Sequence, residues 1–361
     1  MSANEIILGV MAVFAVIGGI DRIFGSRLGF GKKFEEGFMA MGPLALSMAG
    51  MLVLAPVIAK VLSPVIVPLF QAQGADPSMF AGIFMAIDMG GAPLAKEMCL
   101  STDAYQLGGI IVGSMLGATI VFTIPVSFEI AGRDRQYIAR GILLGMITIP
   151  IGCFAGGLIA GFGIKMLTLN LIPVTVIALA IMLGMWKFQK KMIKGFIIFG
   201  RFILMLSTAG LALSVFQSLT DITVLKDLGS VSDALKIVAN VAIVLAGAFP
   251  LMHFITKVLK RPMGAAAGKL GMNETAAAGI IMSLANSIPM FEMMKDMDNR
   301  GKVVNTAFAV SGAFVLGDHL GFTAGYEPDM LVPMMIGKLI AGVTAVMLAI
   351  AATRNDNEQD G

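Results

Sequence analysis

Apolar runs of about twenty residues recur along this chain and constrain its fold more than any other feature. A run of that length, wound as an α-helix, crosses the roughly 30 Å hydrocarbon core of a bilayer. Hydrophobic residues make up 57% of the 361 residues and charged residues only 14%, against about 25% charged in ordinary soluble domains. The sequence therefore predicts an all-α polytopic membrane protein in a lipid bilayer, without a large soluble domain.

Length and hydropathy predict nine full spans. They cover residues 5–21, 38–60, 107–131, 138–163, 169–186, 196–219, 236–257, 303–324 and 331–352. Lysine and arginine cluster in alternate loops, so the positive-inside rule places the N-terminus outside and the C-terminal tail inside. Two further apolar segments, 76–99 and 273–294, are interrupted by polar residues, glycine and proline. This topology holds only if each segment is a re-entrant helical hairpin. The alternative is that each segment crosses fully, which would place one basic cluster outside.

An internal repeat relates the two interrupted segments. The stretch GADPSMFAGIFM at 74–85 aligns with GMNETAAAGIIM at 271–282, so that the offset is 197 residues (74 to 271). The positive-inside rule gives the two copies opposite orientations, which predicts an inverted-topology repeat of the kind that transporters use. Similarity through apolar composition alone is the competing interpretation.

This repeat divides the chain into four parts. We predict a first inverted repeat at 1–168, a linking transmembrane helix and basic cytoplasmic loop at 169–195, a second inverted repeat at 196–352, and a polar cytoplasmic tail at 353–361.

Carboxylates inside apolar segments are candidates for a substrate site, because a charge at that depth is costly unless it meets water, a cation or a donor. Asp88 follows Asp76 by about 18 Å of helix and precedes a break at Gly90–Pro93. The second segment breaks at 286–289, which reads Asn-Ser-Ile-Pro. We predict that the two breaks meet at a polar site near the bilayer midplane, with Asp88 as its negative charge. The alternative is a solvated Asp88, or one paired with a lysine.

Other polar residues have both a binding and a structural interpretation. The neighbours Asp318 and His319 lie inside the predicted span 303–324, as site residues or as a polar pair that braces helices. Asp76 and Asn273 suit helix N-caps as well as ligands. The complete set of substrate-binding candidates is Asp76, Ser78, Asp88, Asn273, Thr275, Asn286, Ser287, Glu292, Asp318 and His319.

Several function classes are disfavoured. The sequence contains no Walker loop or dinucleotide fingerprint, and Cys99 and Cys153 lack metal-ligand spacing, so no cofactor or metal is expected. The net charge of +3 comes from loop residues and does not indicate nucleic-acid binding. An intramembrane aspartyl protease needs a Gly-x-Gly-Asp turn, and the corresponding tetrapeptide here is Val-Leu-Gly-Asp at 315–318, so an enzyme is not expected.

The function classes that these observations leave are a secondary carrier and a channel for a small polar solute. Either one is compatible with a homo-oligomer. The carboxylates Asp88 and Asp318 suit an ammonium group, and the polar groups of Asn286, Ser287 and Thr275 suit an alcohol. The same groups also suit sodium or a proton as the bound ion.

Three stretches carry a family resemblance. They are MSANEIILGVMAVFAVIGGIDRIFG at the start, GIFMAIDMGGAPLAKEM, and NSIPMFEMMKDMDNRGKVVNTAFAVSGAFVLGDHLGF. Together they resemble the ethanolamine transporter of the ethanolamine-utilisation operon, the EutH family, and the resemblance covers essentially the whole chain. It implies a permease of the bacterial inner membrane that brings ethanolamine to the cytoplasm, where an ammonia-lyase in a microcompartment consumes it. The resemblance implies no particular binding residues.

Overall fold

The computed structural model describes residues 2–86, Met89, 91–130 and 132–354, without the side chains of 260, 261 and 263–267. Every regular element in that part of the chain is helical. In chain order the helices are α1 (Ala3–Ile23), α2 (Phe30–Gln71), α3 (Ser78–Phe84), α4 (Gly91–Met98), α5 (Thr102–Ile130), α6 (Arg135–Ile159), α7 (Ile164–Thr220), α8 (Val231–Lys269), α9 (Glu274–Ala285), α10 (Ser287–Glu292), α11 (Asn299–Gly312), α12 (Asp318–Tyr326) and α13 (Leu331–Ala352).

Seven helical stretches among the described residues are long and apolar enough to cross a membrane, namely α1, α2, α5, α6, α7, α8 and α13. The predicted spans 169–186 and 196–219 both lie in α7. That helix is interrupted at Phe188, whose backbone is non-helical (φ −131°, ψ 37°). An unbroken helix of this length would measure about 86 Å, nearly three times the bilayer core. The kink therefore separates two lengths of helix, each sufficient for a span.

The prediction of a continuous span at 303–324 was wrong. Helix α11 ends at Gly312, α12 begins at Asp318, and Phe314 between them has a left-handed backbone (φ 63°). Hydropathy averages over this stretch and does not register the break, because every residue from Ala313 to Gly317 is apolar or glycine. The backbone amides of the break instead find partners outside their own helix, as the site below shows.

The prediction of the break positions is confirmed in one of the two interrupted segments. The second segment breaks at Asn286, between α9 and α10, as the sequence predicts. In the first, α3 ends at Phe84, before the predicted position, and α4 begins at Gly91, inside the predicted break.

The two ends of each interrupted segment lie side by side. The Leu100 N–H donates to the Asp76 carboxylate across 2.9 Å. The Asn273 N–H donates to the Asp298 carboxylate across the same distance, 2.9 Å. In each segment a hydrogen bond therefore joins residues on either side of the interrupted stretch.

Close helix packing holds the broken elements in place. Helix α6 packs on both α11 and α13, and it presents glycines to them. A Cβ on Gly145 would crowd Ala307 of α11, and one on Gly152 would crowd Gly337 of α13. Such small-residue contacts allow backbones in a membrane to approach closely. Helix α5 is almost wholly buried in the bundle, whereas α1 lies at its periphery.

Candidate functional site: the crossing of two broken helices

The break in α9–α10 lies against the break in α11–α12. The Phe314 N–H donates to the Ser283 carbonyl across 2.9 Å, and the Leu316 N–H donates to the Leu284 carbonyl across 2.8 Å. Gly317 is close to the Ala285 carbonyl, where any side chain would overlap it. Two interruptions from distant parts of the sequence therefore satisfy part of each other's backbone. Non-helical backbone at membrane depth is tolerated in such protein-enclosed surroundings.

Local sequence explains the sharp restart at α10. The Asn286 backbone is extended (φ −156°, ψ 131°), and its side-chain oxygen accepts a hydrogen bond from the Ile288 N–H at 2.9 Å. Pro289 follows in the first turn, where its missing N–H has no cost. Helix α9 places this cap about 18 Å from its own start, close to half the depth of the membrane.

The helices that meet at this crossing carry several buried polar atoms without protein partners. The hydroxyls of Ser283, Ser287, Ser311 and Thr323 and the Nδ1 atom of His319 are buried and make no hydrogen bond. The His319 and Phe314 ring centroids are 5.2 Å apart, so the histidine lies at the same break. Buried polar groups are normally satisfied, because leaving one unpaired costs about 1–3 kcal/mol. The sequence indicated Ser287 and His319 but missed Ser283, Ser311 and Thr323.

Asp318 is the first residue of α12 and is half-buried. A carboxylate in the first turn is favourable, since the helix N-terminus carries partial positive charge. The crossing therefore brings together the break residues Asn286 and Ser287 with the neighbourhood of Asp318 and His319.

A cavity of about 440 Å³ reaches this break. Its lining includes Lys33 and Glu36 of α2, His253 of α8, and Asn286 and Pro289 at the break. Lys33 and His253 belong to the part of the bundle where the basic loops lie. The cavity therefore adjoins both the part of the bundle with the basic loops and the cap of α10.

The candidates at the start of the first segment occupy structural positions. The Asp76 carboxylate accepts from the Ser78 N–H at 2.9 Å, in addition to Leu100. The Ser78 hydroxyl donates to the Ala104 carbonyl at 3.1 Å. Asp88, the predicted centre of charge, lies outside the described residues.

The remaining candidates lie at the start of α9 and at the end of α10, and not at the break between these helices. Asn273 caps α9 by accepting from the Ala276 N–H at 2.9 Å. Thr275 is half-buried in the first turn of α9, and Glu292 is exposed at the end of α10. Among the described residues no three His, Cys, Asp or Glu side chains gather as a metal site.

Lys338 is a buried charge that the sequence reading overlooked. It lies within α13, is 1% exposed, and donates to the Ser114 carbonyl of α5 at 2.6 Å. The sequence contained the signal, because Lys338 is the one charged residue inside the apolar run 331–352.

These features define a multi-pass helical membrane protein with a buried polar crossing inside the bundle. The sequence profile described as "Ethanolamine utilisation protein, EutH" matches residues 3–352, so the chain belongs to the EutH family.

Two curated relatives extend the comparison. A Listeria monocytogenes serotype 1/2a (strain 10403S) protein named "Probable ethanolamine permease EutH" is 54% identical over 351 residues, 97% of this chain and 94% of the relative. An Escherichia coli (strain K12) protein with the same name is 45% identical over 389 residues, 97% of this chain and 95% of the relative. No solved structure matches the chain.

Proposed function

We propose that this protein imports ethanolamine across the bacterial inner membrane, and that the polar crossing of the two broken helices binds it. The observation that carries the binding site is the group of buried, unpartnered hydroxyls with His319, on the helices of the crossing, whose break at Asn286 and Pro289 lines a cavity. Family membership and the names of the relatives support ethanolamine as the substrate.

Ethanolamine presents two groups that this crossing suits. Its ammonium would pair with the Asp318 or Asp88 carboxylate, and its hydroxyl would exchange hydrogen bonds with Asn286 and Ser287. A ligand hydroxyl at the Ser287 side chain would also supply the partner that this buried group lacks within the protein.

We further propose that residues 1–168 and 196–352 form an inverted repeat, with re-entrant hairpins at 76–99 and 273–294. The adjoining ends of each segment and the sequence offset support this arrangement. Movement of one repeat against the other would then expose the crossing alternately to the two sides of the membrane. In this scheme 169–195 is the linker and 353–361 the cytoplasmic tail.

Uptake of labelled ethanolamine into proteoliposomes tests the function. Wild type is compared with Asp318→Asn and Asp88→Asn, with and without an inside-negative potential. Because a membrane potential is worth about 2.3 kcal/mol per charge per 100 mV, a carrier of the cation should respond to it. We expect saturable uptake that the potential accelerates and that at least one of the two variants reduces by about tenfold or more.

Asp221→Asn is the matched control, since it makes the same change at an exposed residue far from the crossing. Uptake that survives both site substitutions would move the ammonium site elsewhere. Absence of wild-type uptake, in vesicles that contain folded protein, would reject ethanolamine and favour another small polar solute.

A further inference from the structure

A second polar cluster lies at the end of the bundle opposite the basic loops. The Tyr105 hydroxyl donates to one oxygen of the Glu327 carboxylate at 2.6 Å, and the Gln106 side-chain amide donates to the other at 3.0 Å. Tyr105 and Gln106 belong to α5, whereas Glu327 directly follows α12. The two hydrogen bonds fix the carboxylate beside the ring of Tyr105.

Two tyrosine rings flank one ammonium group in this cluster. The Lys96 Nζ atom lies 5.7 Å from the ring centroid of Tyr105 and 5.9 Å from that of Tyr326. Both distances are within the roughly 6 Å at which an aromatic ring attracts a cation. Tyr326 is held in turn by Phe322, whose ring stacks on it with centroids 5.0 Å apart.

The rings and the lysine differ in how firmly they are held. Tyr105 is 2% exposed and Tyr326 is half-buried, so packing fixes the rings in advance. Lys96 is exposed on the short helix α4, and its ammonium reaches the rings at the end of a flexible stem. The protein therefore holds a preformed aromatic site that contains a primary ammonium, –CH2–NH3+, belonging to its own chain.

We propose that Tyr105, Tyr326 and Glu327 form an entry site for a primary ammonium, and that Lys96 occupies it until substrate displaces it. The inference rests on the proposed function, because ethanolamine carries the same –CH2–NH3+ group as the lysine side chain. The two rings recognise that group through cation–π attraction, and the Glu327 carboxylate beside Tyr105 adds negative charge to the site. The site is separate from the crossing and would be the first binding step.

Competition with Lys96 makes a specific prediction for the KM of ethanolamine uptake. Lys96→Met removes the competitor from an exposed position, so KM should fall by about two- to fivefold, the strength of an exposed cation–π contact. Tyr326→Leu should raise KM by a similar factor in the Lys96→Met background. In wild type, Tyr326→Leu should raise KM less, because it weakens the binding of Lys96 to the site as well as that of substrate.

One further variant probes the same site independently, and another serves as a control. Glu327→Gln keeps an acceptor for Tyr105 and removes the charge, and it should raise KM in the Lys96→Met background even if Tyr326→Leu folds poorly. Lys165→Met removes an exposed lysine near the Asp76 end of the bundle and should leave KM unchanged. An unchanged KM in Lys96→Met, an equal fall in Lys165→Met, or an equal Tyr326→Leu effect in both backgrounds would overturn the entry site.

Failure of the proposed function is recognised separately, as absence of wild-type ethanolamine uptake. In that case binding of labelled methylammonium to the purified protein decides the inference. Tighter binding by Lys96→Met than by wild type supports the entry site, and equal binding rejects it.

Discussion

The two interrupted segments begin with similar sequences but pack in different surroundings. In the first, α3 packs directly against the backbone of α5: a side chain on Gly82 would overlap the Gly108 carbonyl, and one on Gly117 would overlap the Gly82 carbonyl. In the second, α9 ends beside another break, unpartnered hydroxyls and a cavity. The first segment is therefore tightly packed, and the second has polar capacity left for a ligand.

Because of this difference, substitutions at equivalent positions of the two segments should have different effects. Asp76 and Asn273 are 197 residues apart, yet the first is buried with its carboxylate bonded to two backbone N–H groups and the second is exposed. A substitution in the first segment should mainly affect folding. One near the second break should mainly affect substrate binding.

The largest expected effect is that of Gly82→Val. Helix α3 cannot move away from α5 without losing its packing, so we expect destabilisation of about 3 kcal/mol or more and a loss of folded protein. Size-exclusion chromatography of detergent-solubilised protein measures the folded yield. Gly9→Val is the matched control, because a side chain at Gly9 meets nothing within 4 Å. Equal yields for both variants would show that the first segment is not tightly packed.

Asp76→Ala should be the next largest in effect. It removes the acceptor of the Ser78 and Leu100 N–H groups at a buried position, which should cost about 2–3 kcal/mol of stability. Asn273→Ala removes a cap at an exposed position and should cost about 1 kcal/mol. Thermal unfolding in detergent compares the two. A larger loss for Asn273→Ala would reverse the comparison between the segments.

Ser287→Ala should separate binding from stability. Its hydroxyl has no partner within the protein, so its removal should leave the melting temperature nearly unchanged or raise it. The KM for ethanolamine should rise by about tenfold if the hydroxyl meets the substrate. Ser78→Ala is the matched change in the first segment and should cost about 1 kcal/mol of stability, because its hydroxyl is bonded to the Ala104 carbonyl. A Ser287→Ala protein that loses stability while keeping its KM contradicts the assignment.

The smallest effect should come from Thr275→Val. Thr275 corresponds to Ser78 in the repeat, but it is half-buried where Ser78 is fully buried. We expect a change of stability within about 0.5 kcal/mol and no change in uptake. The melting temperature and the uptake rate check this directly. A loss comparable to that of Ser78→Ala would mean that the repeat-related hydroxyls have equal structural roles.

The sequence by itself determined the class of protein, most of the helices and the position of one break. Apolar runs of about twenty residues and the scarcity of charge favour membrane helices, which match the bilayer in length and satisfy their backbone groups internally. The Asn286-Ser287-Ile288-Pro289 stretch identified a helix end correctly, since a capping amide and a proline act locally.

Only the tertiary structure decided the break at Ala313–Gly317, the polar crossing and the aromatic site. The amides of Phe314 and Leu316 are satisfied by carbonyls about thirty residues earlier in the chain, and no local signal encodes such a partner. In the same way, the rings that flank Lys96 come from α5 and α12, so neither tyrosine differs in sequence from an ordinary interfacial aromatic residue. Local chemistry sets where a helix begins and ends, whereas the partner of a broken helix depends on which distant backbone packs beside it.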